Sequence, residues 1–201
     1  MKLSAVIGFL AALPSALALW PIPRTLNQGT SNTQASLVSI KVDGKSSAVV
    51  DSAISRYQKL INGESFVAPA DYKRGIVKTN GSLNRLTVSV KSTNETLDLN
   101  TDESYTLDVP VDGTATLTAK SPYGVVRGLE TFSQLVTGNG YSKAILNTPV
   151  HIEDSPVYPH RGLSFDTSRN FYSVDSIFRI LDAMAYNKMN TFHWHVVDAH
   201  S

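Results

Sequence analysis

Two short runs concentrate the side chains able to do chemistry: His160-Arg161-Gly162-Leu163-Ser164-Phe165-Asp166-Thr167-Ser168-Arg169 and His193-Trp194-His195-Val196-Val197-Asp198. Each reads as a strand that continues past its C-terminal end. In a (β/α)8 barrel the connections after the strands gather at that end and form the catalytic face, so polar residues there are candidates on position alone. Arg169, just beyond the first strand, offers a planar fork of donors that can grip two adjacent sugar hydroxyls and fix the ring. The plainer reading is a surface arginine paired with Asp166 or Asp175. Arg161 precedes the strand, at the end of a barrel that serves stability, and reads as structural.

His193 and His195 point to one side of a strand, the spacing of a bidentate metal site. A metal-dependent hydrolase using them is one alternative; histidines hydrogen-bonded in a barrel wall are the other. Asp198 can accept a hydroxyl or orient the partner of a catalytic acid. Strict alternation puts Asp198 on the face opposite His193 and His195, so all three serve one site only if the strand ends near Val197. Trp194 can wall one face of a sugar but reads rather as core, Asp166 as a partner for Arg169, and Asn187 and Lys188 as turn residues.

These runs need a strand-helix-strand frame, and the pattern supplies it. Residues 162–165 form a short strand. Ser173 can cap a helix whose face carries Ile177, Ile180, Leu181, Met184 and Ala185, and residues 191–197 are β-branched and aromatic. Such a unit belongs to a parallel sheet. Before it, residues 34–155 read as a small α+β domain: an antiparallel-rich sheet with two helices and no paired carboxylates or clustered histidines. Strands are expected at 36–42, 85–91, 105–109 and 114–119. One helix is expected over 46–60, where Val49, Val50, Ala53, Ile54, Tyr57, Leu60 and Ile61 make one stripe. A second is expected over 123–136, closed by Gly138-Asn139-Gly140. Residues 19–33, rich in Pro, Asn, Thr, Ser and Gly, are expected to be an arm with little structure.

Residues 1–18 pair Lys2 with an apolar stretch and a small-residue Ala16-Leu17-Ala18 ending, a secretory signal peptide too short to span a bilayer. Export fits two N-glycosylation sequons, at Asn80 and Asn94. With no cysteine, this chain holds no disulfide, so packing must stabilise it. A formal charge of +1 with scattered Lys and Arg gives no electrostatic footprint for nucleic acid. No second apolar run reaches membrane length.

The motifs together resemble the opening of the catalytic barrel in glycoside hydrolase family 20 β-N-acetylhexosaminidases. They are His160-Arg161-Gly162 with Asp166-Thr167-Ser168-Arg169 and Phe171, then the 182–190 stretch, then His193-Trp194-His195, Asp198 and Ser201. The domain before them resembles the family's small N-terminal domain, most clearly from Tyr123-Gly124 to Leu135. The Leu19-Trp20-Pro21 start resembles a mature eukaryotic secreted member.

The resemblance implies exo-hydrolysis of terminal β-linked N-acetylglucosamine or N-acetylgalactosamine with retention, without cofactor or metal. The substrate's acetamido oxygen attacks, an Asp stabilises the oxazolinium, and a neighbouring Glu serves as acid and base. It implies that Arg169 binds the 3- and 4-hydroxyls of the sugar and that Asp198 is an active-site carboxylate. It places the Asp-Glu pair beyond residue 201. The chain is therefore expected to be a truncated member: residues 156–201 as the start of an incomplete (β/α)8 barrel, inactive alone, from a parent that acts on N-acetylhexosamine-terminated glycans and is a candidate homodimer. It is expected to be secreted or delivered to a vacuole or lysosome. A non-catalytic glycan- or enzyme-binding module is the rival reading.

Overall fold

The computed structural model describes residues 19–63, 77–139 and 142–199. The signal peptide expected over residues 1–18, and the Gly140 and Ser201 ends of two motifs, lie outside them. In chain order the elements are β1 (Thr25–Gln34), β2 (Ser39–Val42), α1 (Ala48–Gly63), β3 (Gly81–Val90), β4 (Tyr105–Val109), β5 (Gly113–Ala119), α2 (Pro122–Leu135), β6 (Val136–Asn139), β7 (Ser142–Asp154), β8 (Gly162–Asp166), α3 (Val174–Tyr186) and β9 (Thr191–His195).

Strands β1 to β7 form one mixed sheet in the order β1-β3-β5-β4-β7-β6, with β2 beside β3. The pairings of β3 with β1, β2 and β5 are parallel, and those of β7 with β1, β4 and β6, and of β4 with β5, are antiparallel. The sheet is thus mixed rather than plainly antiparallel-rich. Since β1 pairs with β7 along most of its length and with β3 at Thr33 and Gln34, the ladder closes on itself through β1, β3, β5, β4 and β7.

One face of the sheet is apolar and packs against the two helices. Ala115, Leu117 and Ala119 of β5 alternate with exposed threonines, which is the period-2 signature of a half-buried strand. In β3 the buried positions run Leu83, Leu86, Val88. The break in step coincides with a register shift between Leu83 and Arg85. Helix α1 buries Val50, Ala53, Tyr57 and Ile61, and α2 buries Val125, Leu129, Phe132 and Leu135. Ser121 caps α2 by accepting from the Gly124 amide, with Pro122 in the first turn. Glycine at position 124 is required by close approach: a Cβ there would lie 2.4 Å from the Ser104 carbonyl oxygen.

Several expectations are corrected. Residues 19–33 are no unstructured arm, because 25–34 form β1. That strand escapes the eye because its register shifts between Gln28 and Ser31 and again before Thr33, which destroys alternation. Gly138 and Asn139 do not terminate α2; the chain turns at Val136 directly into β6. β7, the longest strand, was not expected at all. The first short strand starts at Ser39, and the last ends at His195 instead of Val197.

The remaining chain forms β8-α3-β9. The two strands are parallel neighbours joined by the helix, and Ser173 caps α3 by accepting from the Ser176 amide.

Candidate functional site

The register of β8 on β9 sorts the side chains. Gly162, Ser164 and Asp166 stand beside Thr191, His193 and His195, while Leu163 and Phe165 stand beside Phe192 and Trp194. Neighbours across a parallel pair share a face, so one face is polar and the other aromatic. The aromatic one is built by Phe165 against Tyr172 with ring centroids 4.6 Å apart, and by Phe192 against Trp194 at 5.9 Å.

At the C-terminal end of this pair the polar groups converge. The Thr167 amide donates to the His195 carbonyl, extending the ladder one residue past the end of β8. Asp166 then folds the next turn around its carboxylate: Oδ1 accepts from the Ser168 amide at 2.9 Å and the Arg169 amide at 3.3 Å, and Oδ2 from Arg169 Nε at 2.6 Å. Arg169 Nη2 also meets Oδ2. Hydrogen bonds from Arg169 hold the Asp166 carboxyl below the usual carboxylate range, and Asp166 with Asp198 holds the guanidinium firmly charged. Arg169 stays well exposed, so the carboxylate orients the fork without burying it. Pairing with Asp166 agrees with the plainer reading of Arg169.

Asp198 lies beyond the end of β9, and its Oδ2 reaches back to within 3.2 Å of His195 Nε2. The parity objection loses force, because alternation stops at His195. Asp198 therefore joins the face carrying His195 and Asp166. His193 and His195 share that face, and no cluster of three or more His, Cys, Asp or Glu side chains arranged for a metal occurs among the described residues. Trp194 is not core: it is 47% exposed, and its Nε1 donates to Thr167 Oγ1 at 2.8 Å. The buried Ser168 hydroxyl, beside the Asp166 turn, has no hydrogen-bond partner among the described residues.

The opposite, N-terminal end of the strand pair holds residues that sequence reasoning missed. Lys188, read as a turn residue, is 7% exposed. Its ammonium donates to Thr131 Oγ1 at 2.7 Å, Tyr105 Oη at 3.0 Å and Asp154 Oδ2 at 3.1 Å. Burial pulls its pKa down despite Asp154. Glu103, 5% exposed, accepts from Arg127 Nε and Arg161 Nη2, both at 2.6 Å, and from Asn190 Nδ2 at 3.3 Å. Burial opposes ionisation of Glu103, but the bonds from Arg161 and Arg127 outweigh it and its carboxyl titrates below the ordinary value. Only the placement of Arg161 before a strand hinted at this cluster.

The described residues thus form a helix-backed mixed sheet followed by a parallel strand pair with a polar end. Comparison with known proteins gives the class. The family model described as beta-acetyl hexosaminidase like matches residues 19–135, and the glycosyl hydrolase family 20 catalytic domain matches residues 158–201. The chain belongs to glycoside hydrolase family 20.

It is 36% identical over 187 residues to beta-hexosaminidase subunit B1 of Dictyostelium discoideum, covering 91% of this chain and 32% of that protein. It is 37% identical over 196 residues to the mouse beta-hexosaminidase subunit beta, covering 92% and 35%. Among solved structures it superposes on the Flavobacterium johnsoniae chitobiase with a TM-score of 0.71 at 28% identity, covering 90% of this chain and 27% of that one. The chain thus spans about a third of the length of the curated relatives it matches.

Proposed function

We propose that this chain is the N-terminal portion of a secreted β-N-acetylhexosaminidase, in which residues 34–155 form a non-catalytic domain and residues 156–201 open a (β/α)8 barrel. The observation that carries the reading is the convergence of Arg169, Asp166, His195 and Asp198 at the C-terminal end of two adjacent parallel strands. That is the end where barrel enzymes build their sites.

In this reading Arg169, oriented by Asp166, donates to the 3- and 4-hydroxyls of a terminal N-acetylglucosamine or N-acetylgalactosamine. Asp198 supports the acid of the reaction. The substrate's acetamido oxygen forms the oxazolinium, and the Asp-Glu pair that would stabilise it and shuttle the proton is assigned to no residue between 1 and 201. The 201-residue chain alone then turns nothing over. The glycans handled by the complete protein end in β-linked N-acetylhexosamine, and the complete protein assembles as a homodimer. Residues 1–18 direct it to the secretory route, for release or for a vacuole or lysosome, and Asn80 and Asn94 carry N-glycans. Among the described residues no helix is long and apolar enough to cross a membrane.

Incubation with a chromogenic β-N-acetylglucosaminide tests this reading. The product of the complete coding sequence releases the chromophore and the 201-residue chain does not. Failure of the complete protein to cleave either hexosaminide would overturn the reading.

A further inference from the structure

The mixed sheet and the β8-α3-β9 unit meet through charge. Glu103 precedes β4 and Asp154 ends β7, so both acceptors belong to the sheet domain. Their cationic and amide partners Arg161, Lys188 and Asn190 sit immediately before β8 and in the turn before β9. The same three residues knit the two strand starts together. The Arg161 amide donates to Asn190 Oδ1, Arg161 Nε donates to the Lys188 carbonyl, and the amides of Asn190 and Thr191 both donate to the Arg161 carbonyl. Arg127 of α2 reaches the Met189 carbonyl, and Trp20 Nε1 donates to Asn187 Oδ1 at 2.6 Å.

Lys188 reaches its site at a backbone cost. Its φ is 54°, a left-handed conformation that a side chain with a Cβ adopts rarely. The turn accepts this and delivers the ammonium into a triangle of three oxygens. Apolar seams can slide to neighbouring registers, whereas a buried ammonium and a buried carboxylate, each with its partners in one geometry, tolerate a single one.

We propose that Glu103 and Asp154 clamp the N-terminal ends of β8 and β9 through Arg161, Asn190 and Lys188, making these positioning residues that set how Arg169 and Asp198 stand at the far ends. The strands are five residues each, so the clamp acts across about 16 Å at about 3.3 Å per residue. That the far ends hold a sugar rests on the proposed function. The clamp does not, and its test reads structure instead of hydrolysis, so the two fail separately.

Hydrogen exchange on the unmodified 201-residue chain is the first test. Clamped strands exchange the amides of Thr167, Asn190 and Thr191 only with global unfolding, at the protection of the slowest amides in β4, β5 and β7. The second test uses the two tryptophan indole N–H resonances. Trp20 reports the clamp, and Trp194, bonded to Thr167, reports the far end.

In Lys188→Met the Thr167, Asn190 and Thr191 amides lose on the order of 100-fold protection relative to β4, and the Trp194 indole signal shifts or broadens. Glu103→Gln does the same to a smaller degree. Val50→Ala, a core variant in α1, lowers all protection together and leaves Trp194 unmoved. The clamp is refuted if these amides of the unmodified chain exchange on the order of 100-fold faster than β4. It is equally refuted if Lys188→Met lowers every amide in step without moving Trp194. Should Lys188→Met fail to fold, the unmodified chain and Glu103→Gln decide.

Discussion

The sheet domain and the β8-α3-β9 unit are held by opposite means. The first closes over Leu86, Leu107, Leu117, Leu129 and Phe132, all fully buried. The second carries Leu163, Phe178, Leu181, Trp194 and Val197 exposed, with Met184 as its one buried apolar side chain among the described residues. Its described hydrogen bonds to the first include those of Lys188, Arg161, Asn190, Asn187 and the Met189 carbonyl across a polar seam. Apolar burial supplies stability in one region, and directional bonds supply placement in the other.

The largest expected effect breaks the first region. Phe132→Ala removes a fully buried ring and should cost about 3–5 kcal/mol in chemical denaturation, whereas Leu181→Ala, at 39% exposure, should cost under about 1 kcal/mol. Equal losses would erase the contrast. Next comes Gly124→Ala. Helix propensity alone favours alanine by about 1 kcal/mol, yet the new Cβ would meet the Ser104 carbonyl, so a net loss of about 1–3 kcal/mol is expected. Tyr57→Phe should cost about 1–3 kcal/mol in the same assay, because the buried Glu130 carboxylate loses the Tyr57 hydroxyl bonded at 2.8 Å.

Acid should loosen the seam. Glu103 titrates below its ordinary value of 4.5 when folded, so its contribution is complete above that pH and is lost as pH falls through the folded value. Asp102, next to it, is lowered to about 2: burial works against this, but bonds from Ser104 and Lys120 prevail. Stability followed by denaturation from pH 7 downward should start to fall near pH 4.5, and Glu103→Gln should flatten that fall. The smallest effect concerns Asn94, whose Oδ1 accepts from the Thr96 amide and hydroxyl on an exposed loop. Asn94→Gln should remove one glycan by mass spectrometry while leaving the unfolding midpoint nearly unchanged.

What could be read in the sequence follows the same division. Period wrote α1, α2 and β5, because each turns one apolar face to a single core. Ser173 announced its helix because capping is local, whereas the Ser121 cap of α2 came only with the structure. β1 and β7 stayed hidden. Their mutual ladder carries register shifts, Gly29 lies against the Thr148 carbonyl and Pro149, and Asn147 takes a left-handed φ of 57°. Partner contacts, not pattern, make them strands. Lys188 and Glu103 were illegible for a further reason: their partners lie between 24 and 87 residues away, and nothing local distinguishes a buried ammonium from a turn lysine. Arg169 and Asp198 stood out by their position after strands, yet the Asp198 side could be settled only once β9 was seen to end at His195.

In the proposed function, Arg169 grips the terminal sugar at the far end of the β8-β9 pair. The direct measurement is kcat/KM for a chromogenic β-N-acetylglucosaminide with the complete protein and its Arg169→Lys variant, together with the affinity of each for free N-acetylglucosamine. Loss of a fork donating charge-assisted bonds at about 1.5–3 kcal/mol each should lower kcat/KM on the order of 100-fold and weaken sugar binding in parallel, with the fold unchanged. Activity and affinity within about threefold of the unmodified protein, under about 1 kcal/mol, would show that Arg169 serves only its pairing with Asp166.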